Sequence, residues 1–151
     1  MAASKMGKKK FKVWLVLLIV VGVAVLGMVI ALLADAPERQ ELKSLKIEEV
    51  DFTQLRDGTY IGEYAGTKGS FRNATVKVVI SGGGITKITI LKGALDSKGK
   101  SVELTDGMTI DALFERVLES KSLQVDAISG ATLTSKAHLK ALENALKQAG
   151  Q

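Results

Sequence analysis

The pattern of apolar and polar positions divides the chain into two parts. Residues 13–34 form an unbroken run of 22 residues without a charged side chain, whereas the rest of the chain alternates apolar and polar positions at short intervals. At about 1.5 Å per residue, a helix of that length crosses a hydrocarbon core of about 30 Å. The run therefore predicts a transmembrane helix, with Phe11 and Trp14 near one membrane surface.

The charges around the run predict its orientation. Five lysines precede it, at positions 5, 8, 9, 10 and 12, and no acidic residue occurs before Asp35. Because basic flanks stay on the cytoplasmic side, we expect a single-pass cell-membrane protein with a cytoplasmic N-terminus and an extracytoplasmic C-terminal domain. A cleaved signal peptide is the alternative, since Ala34 and Ala36 have the spacing of a cleavage site. The run is longer than the usual 7 to 15 apolar residues and Pro37 would follow the cut, which favours an uncleaved anchor.

The second part of the chain begins with strand patterns. One face of a first strand carries Tyr60, Gly62 and Tyr64, and one face of a second carries Ala74, Val76, Val78 and Ile80. Residues 81–84, Ser-Gly-Gly-Gly, predict a tight turn into a third strand at residues 85–91, since glycines supply the positive φ angles of such turns. Residues 93–104 then read as a long loop. The pattern predicts an antiparallel meander.

Two helical patterns follow the strands. The first spans residues 109–119, with apolar side chains at i, i+3, i+4, i+7 and i+8 and Thr109 as its N-cap. After a short predicted strand at residues 123–125, the second spans residues 135–148 and ends at Gly150. Its pattern buries Leu139, Leu142, Leu146 and Ala149 and exposes Lys136, Lys140, Glu143 and Lys147. The predicted fold class is α+β, a small antiparallel sheet with two helices packed on it, preceded by one N-terminal transmembrane helix.

These patterns divide the chain into four segments. They are a cytoplasmic basic segment at 1–12, the transmembrane helix at 13–34, a stalk or linker at 35–56 and a globular domain at 57–151. Pro37 marks the start of the stalk. The apolar residues of the stalk, among them Leu42 and Leu55, leave open a second interpretation, in which this segment is the first element of the domain itself.

Charge and composition exclude several classes of protein. The net charge of +5 comes from the five N-terminal lysines, and from residue 13 onward 16 basic residues face 16 acidic ones, so we expect no nucleic-acid partner. The chain has no cysteine, which excludes disulfides, iron–sulfur clusters and cysteine-ligated zinc. His138 is the only histidine, and we expect a surface residue of the last helix, not a metal ligand.

Residues 126–135 hold the candidate chemistry. They carry four hydroxyl side chains, at Ser129, Thr132, Thr134 and Ser135, immediately before or inside the last helix. The free N–H groups and the dipole of a helix N-terminus favour a phosphate group. Spacing alone leaves an ordinary cap as the alternative, with Thr134 or Ser135 capping the helix and Gly130 turning the chain.

The same stretch resembles the flavinylation motif of the FMN-binding domain family, which includes subunits of the sodium-pumping NADH:quinone reductase and of the Rnf complex. The matching residues are Asp126, Ser129, Gly130, Ala131, Thr132 and Thr134. Residues 57–64, 76–80 and 85–90 are similar to the opening strands of that domain. The resemblance, which extends over residues 57–149, implies that Thr132 carries covalent FMN through a phosphoester bond.

The resemblance also implies function and partners. We expect a membrane-anchored flavoprotein that relays electrons, with no catalytic or metal-binding residues of its own, because a cofactor protein supplies attachment and environment while the cofactor carries the chemistry. A flavin transferase would recognise Asp126 and the Ser-Gly-Ala turn and load FMN, and redox partner proteins or a quinone-linked complex would exchange electrons with it. The alternatives are a module or sensor that binds FMN or another phosphate ligand noncovalently, a subunit of a larger respiratory complex, and a domain that has lost its flavin.

Overall fold

A computed structural model describes the backbone of residues 4–150 and the side chains of residues 12–150. The predicted positions of Phe11 and of the first four lysines fall outside the described side chains. The elements are α1 (Ser4–Ser44), β1 (Gly58–Tyr64), β2 (Ala74–Ser81), β3 (Gly84–Lys92), α2 (Ile110–Ser120) and α3 (Thr132–Ala149). The chain forms two compact units, one that ends at Pro37 and one that begins at Glu38.

The first unit is the apolar part of α1. Its large apolar side chains, from Val13 to Leu33, are exposed all round the helix, and the segment Lys12–Ser44 has a stretch with a mean hydropathy of 3.2. A helix that is apolar on every face and packs against no core is typical of a membrane span. This helix is long and apolar enough to cross a membrane, as the sequence predicts.

Helix α1 does not end near Pro37 but continues to Ser44. A proline inside a helix removes one backbone hydrogen bond and costs about 3 kcal/mol, so tertiary packing must compensate. The last two turns of α1 supply this packing, since Glu38 and Leu42 are buried in the second unit. Leu55 joins the same core. The structure thus places residues 38–56 in the compact unit, which favours the interpretation of this segment as its first element over that of a free stalk.

The sheet is the predicted antiparallel meander, in the order β1-β2-β3. Its turn places Gly82 and Gly83 at φ +65° and +74°, and the Asp57 carboxylate accepts hydrogen bonds from both of their N–H groups at 2.9 and 2.8 Å. These bonds, that to Gly83 foremost, lower the pKa of Asp57. The side chains predicted to share a buried face of β2 are buried.

Helix α3 lies against β1 and β2. A Cβ atom on Gly62 would stand 2.0 Å from the carbonyl oxygen of Ala141, so only glycine lets the two backbones approach this closely. Helix α2 packs against α3, and its buried residues join the same core as the sheet; they are Ile110, Leu113, Phe114 and Val117. The predicted α+β class and the Thr109 cap of α2, at 3.3 Å from the Ala112 N–H, are confirmed.

Three local predictions are wrong. Residues 123–125 are not a strand, and Leu123 is instead anchored by its N–H to the Glu49 carboxylate at 3.2 Å. Helix α3 begins three residues earlier than predicted, at Thr132. Glu143, predicted to be exposed, is buried. Burial of its carboxylate is tolerated because it accepts hydrogen bonds from the Glu48 N–H and from the Lys140 and Lys147 ammonium groups.

Candidate functional site

The predicted site is a turn that leads directly into α3. The chain reaches it in irregular conformation, turns at Ser129 and Gly130, and enters the helix at Thr132. The Ala131 N–H donates to the Ile128 carbonyl at 2.9 Å, which closes the turn. Gly130 has φ +74°, a left-handed conformation that disfavours any residue with a Cβ atom.

Ser135 fastens the turn to the helix. Its side chain is buried, and its Oγ accepts a hydrogen bond from the Ile128 N–H at 3.1 Å while donating one to the Ala131 carbonyl at 3.0 Å. Ser135 is therefore not a helix cap but an internal brace, which fixes the two ends of the turn relative to the first turn of α3.

A second turn supports the site from the side. A Cβ on Gly130 would come within 3.0 Å of the Thr105 Oγ1, so the turn at residues 105–108 packs directly on the glycine. The Arg116 guanidinium donates to the Asp126 carbonyl at 3.3 Å and contacts the Met108 sulfur at 3.8 Å, which ties α2 to both segments. Glycine at position 130 is thus required by close packing as well as by the turn.

The start of α3 has no side-chain cap. Its N-cap is Ala131, at φ −125° and ψ 29°, and none of the side chains described, those of residues 12–150, accepts from the first N–H groups of the helix. The prediction that Thr134 or Ser135 caps the helix is therefore wrong, because α3 begins before both residues. The unpaired N–H groups and the positive end of the helix dipole are available to an anion at this position.

The predicted site residues differ in accessibility. Ser129, Gly130 and Thr132 are exposed, Ala131 and Thr134 are half-buried, and Asp126 is exposed. Asp126 borders a groove of about 500 Å³ that Val125 and Lys136 also line. The structure thus brings Ser129, Gly130, Ala131 and Thr132 together at the helix start, while the Asp126 side chain faces a neighbouring groove.

Thr134 lines a different, mainly apolar groove of about 230 Å³. The other lining residues come from the loops on either side of β2 and β3 and from α3; they are Phe71, Arg72, Asn73, Gly93, Ala94, Leu95, Val102, Leu104 and His138. Clefts with apolar walls and a few polar atoms are common ligand sites. The groove adjoins the first turn of α3, where the predicted acceptor Thr132 lies.

His138 forms the floor of this groove, and the prediction that it is a surface residue is wrong. It is buried, with Nδ1 2.8 Å from the Thr134 carbonyl and Nε2 3.3 Å from the Ala94 N–H. Because a carbonyl can only accept and an N–H can only donate, Nδ1 carries the proton and the imidazole is neutral. Burial lowers the pKa of His138, against the opposing effects of the Thr134 carbonyl and Asp111.

Gly93 allows the histidine to reach the loop. It has φ +122°, and a Cβ there would meet the His138 Nε2 at 2.4 Å. The sequence pattern does not indicate that His138, Gly93, Arg116 and Thr105 are parts of the site. A single histidine on the apolar side of an amphipathic helix was the one available signal, since its loop partners are distant in sequence.

The residues fit an FMN group carried on a threonine. Thr132 presents an exposed β-hydroxyl beside unpaired helix N–H groups, which suits a phosphate, and the adjacent groove offers apolar walls. Ser129 and Gly130 are exposed next to Thr132, so the turn is accessible from solvent.

Comparison with known proteins agrees with this geometry. Residues 66–147 match the family model of the FMN-binding domain, just over half of the chain, and all six predicted site residues lie within the match. No match was found among curated proteins or among solved structures. The match supports FMN as the cofactor. This chain belongs to the FMN-binding domain family.

Proposed function

We propose that this chain is a membrane-anchored flavoprotein that carries FMN on Thr132 through a phosphoester bond and relays electrons. The observation that carries the proposal is the exposed Thr132 hydroxyl at an uncapped helix N-terminus, within a turn of the family's Ser-Gly-Ala-Thr pattern. A bound flavin supplies the electron transfer, and the chain holds it in place. The division of labour makes the protein an electron carrier or a subunit of a redox complex.

Covalent attachment of FMN requires a second enzyme, a flavin transferase that uses FAD. A flavin transferase would take FMN from FAD: the Thr132 Oγ1 forms a bond to the FMN phosphorus, the pyrophosphate bond of FAD breaks, AMP leaves, and the hydroxyl proton goes to solvent or to a base on the transferase. Small residues at positions 130 and 131 leave room for that enzyme to approach. Asp126, exposed beside its own groove, is a suitable recognition point.

Thr132 and Thr134 both carry the required hydroxyl, and accessibility distinguishes them. Thr132 is the first residue of α3 and exposed, whereas Thr134 is half-buried against the groove and its carbonyl is engaged by His138. The same groove is the proposed binding position of the apolar flavin ring. Thr134 is thus assigned to the surroundings of the ring and Thr132 to the bond.

The test is to produce the full chain together with a flavin transferase and measure its mass and its fluorescence on a denaturing gel. We expect the wild type and Thr134→Val to carry covalent FMN and Thr132→Val to carry none. Colour that is lost on denaturation would indicate noncovalent binding, and no colour would indicate a domain that has lost the flavin. FMN mapped to a Thr134 peptide would overturn the assignment.

The proposal includes the orientation in the membrane. The lysines before residue 13 favour a cytoplasmic N-terminus, so the unit that begins at Glu38 would lie outside the cytoplasm. Protease added to intact spheroplasts should digest that unit. Its protection until the membrane is opened would contradict the orientation, whatever the outcome of the flavin experiment.

A further inference from the structure

One large aromatic side chain of the second unit is left in solvent. Phe71 is 85% exposed, more than any other described large apolar side chain, including those of the apolar helix. It belongs to the segment 66–73 between β1 and β2, here called the 66–73 loop. The Arg72 guanidinium lies 5.2 Å from the centre of its ring, and Lys68 in the same loop is exposed.

The 66–73 loop is held in place by two carboxylates from the end of α1. Buried Glu38 accepts from the Arg72 N–H at 2.8 Å and pairs with the Arg72 guanidinium at 2.9 Å. Glu41 accepts from the N–H groups of Thr67 and Lys68 at 3.0 and 2.9 Å. Charge-assisted bonds of this kind are about twice as strong as neutral ones. The exposure of Phe71 is therefore a property of a fixed loop.

Chain connectivity keeps this loop close to the apolar run. Glu38 is four residues after Ala34, the last residue of that run, so even a fully extended chain separates them by no more than about 14 Å. Phe71 adjoins Arg72, which is bonded to Glu38. If residues 13–34 span a bilayer, the aromatic ring and its basic neighbours lie within reach of the lipid surface.

We propose that the 66–73 loop contacts the bilayer interface. The Phe71 ring would lie at the boundary between the lipid headgroups and the acyl chains, and Lys68 would face lipid phosphates. Aromatic and basic side chains are the usual pair at such interfaces. Because Phe71 and Arg72 also line the groove beside Thr134, the contact would hold that groove at the membrane surface, in reach of a lipid-dissolved redox partner. This proposal rests on the membrane anchoring in the proposed function.

The test uses the full chain, produced without flavin transferase, in phosphatidylcholine vesicles with or without brominated acyl chains, which quench nearby tryptophan. Trp14 is the only tryptophan, so a Trp14→Phe chain provides a silent background. Phe71→Trp is compared in it with Lys87→Trp. Lys87 is exposed on β3 and pairs with Val79 of β2. Val79 is six residues after Asn73, the end of the 66–73 loop, so Lys87 lies about 20 Å from that loop.

We expect Phe71→Trp emission to shift to the blue and to be quenched by brominated lipid at least threefold more than Lys87→Trp. Equal quenching of the two variants would overturn the contact, and a protein surface would then be the alternative partner of the Phe71 ring. The wild-type chain provides the separate check on anchoring. Unquenched Trp14 would overturn both the anchoring and the contact, whereas quenched Trp14 with an unquenched Phe71→Trp would overturn the contact alone.

Discussion

The starts of α2 and α3 differ in how they satisfy their backbone. Helix α2 begins with Thr109 in extended conformation, φ −117° and ψ 169°, and the threonine side chain accepts from the Ala112 N–H. Helix α3 begins with Ala131 in a conformation unsuited to capping and has no side-chain acceptor, although four hydroxyl residues lie within four positions of it. The first helix start is therefore capped by a side chain, and the second leaves its N–H donors without a side-chain acceptor.

The hydroxyls around α3 are divided between two tasks. Ser135 is buried and braces the turn, while Ser129 and Thr132 remain exposed. A protein under selection for stability alone would be expected to place a cap here, since a cap stabilises by about 0.5–2 kcal/mol. Under the proposed function, the missing cap leaves the N–H groups at this motif to the FMN phosphate.

The largest expected effect tests whether α2 is held by its apolar face. Phe114→Ala should lower the free energy of unfolding by about 3–5 kcal/mol, because the ring is buried in the common core. The matched control is Leu118→Ala on the same helix, where 36% exposure predicts a loss below about 1 kcal/mol. Urea unfolding of the full chain in detergent, followed by circular dichroism, measures both. Equal losses would mean that the buried face of α2 is wrongly identified.

The next effect concerns the brace at the start of α3. Ser135→Ala removes the acceptor of the buried Ile128 N–H, and an unsatisfied buried donor costs about 1–3 kcal/mol. Ser129→Ala, at an exposed serine of the same turn, should change stability by less than about 0.5 kcal/mol. The same urea titration compares them. Indistinguishable unfolding curves for Ser135→Ala and Ser129→Ala would mean that the Ser135 hydrogen bonds do not stabilise the fold.

The comparison of the two helix starts has its own direct test. Thr109→Ala should cost about 0.5–2 kcal/mol for the lost cap of α2. Thr134→Val should cost less than about 0.5 kcal/mol, because its side chain caps nothing in α3. Thermal unfolding of both variants gives the ranking. A Thr134→Val loss as large as that of Thr109→Ala would restore the capped interpretation of α3.

Most of the fold and the motif at Thr132 could be predicted from the sequence, because the patterns that indicate them involve neighbouring residues. The period-2 pattern of β2, the glycine turn before β3 and the apolar spacing of α2 each depend on neighbouring residues, and the structure confirms them. The motif at Thr132 was readable because its residues are contiguous, and the family match covers it. Local patterns therefore located the strands, the helices and the motif.

Several of the errors have a different cause, which is contact between residues that are distant in sequence. Glu143 is charged and on an apparently polar face, yet its partners include the N–H of Glu48, 95 positions earlier. Pro37 marks the start of the predicted stalk, but Glu38 and Leu42, which follow it, are buried in the second unit. His138 is buried because a loop 44 positions away supplies a donor and a glycine that accommodates the ring. No pattern within one element contains this information.

The smallest expected effect follows from the neutral His138. Burial lowers the folded-state pKa of His138 below its ordinary value of 6.5, so the unfolded chain binds more protons near pH 6.5 than the folded chain does. Stability should therefore rise with pH through the window below about 6.5 and become level above it. One such group changes the free energy of unfolding by at most about 1.4 kcal/mol per pH unit. His138→Gln should reduce this slope and retain the contribution of the carboxylates.

The imidazole can be followed directly, because the chain has one histidine and its NMR signal needs no assignment. We expect it to titrate below pH 6.5 in the folded chain and near 6.5 in urea. A folded-state pKa at or above 6.5 would mean that burial and the Ala94 N–H do not favour the neutral ring, and that Nε2 takes up a proton as readily as in the unfolded chain. At pH values below that pKa, the side of the groove formed by His138 would be cationic and would attract an anionic group in preference to a neutral one.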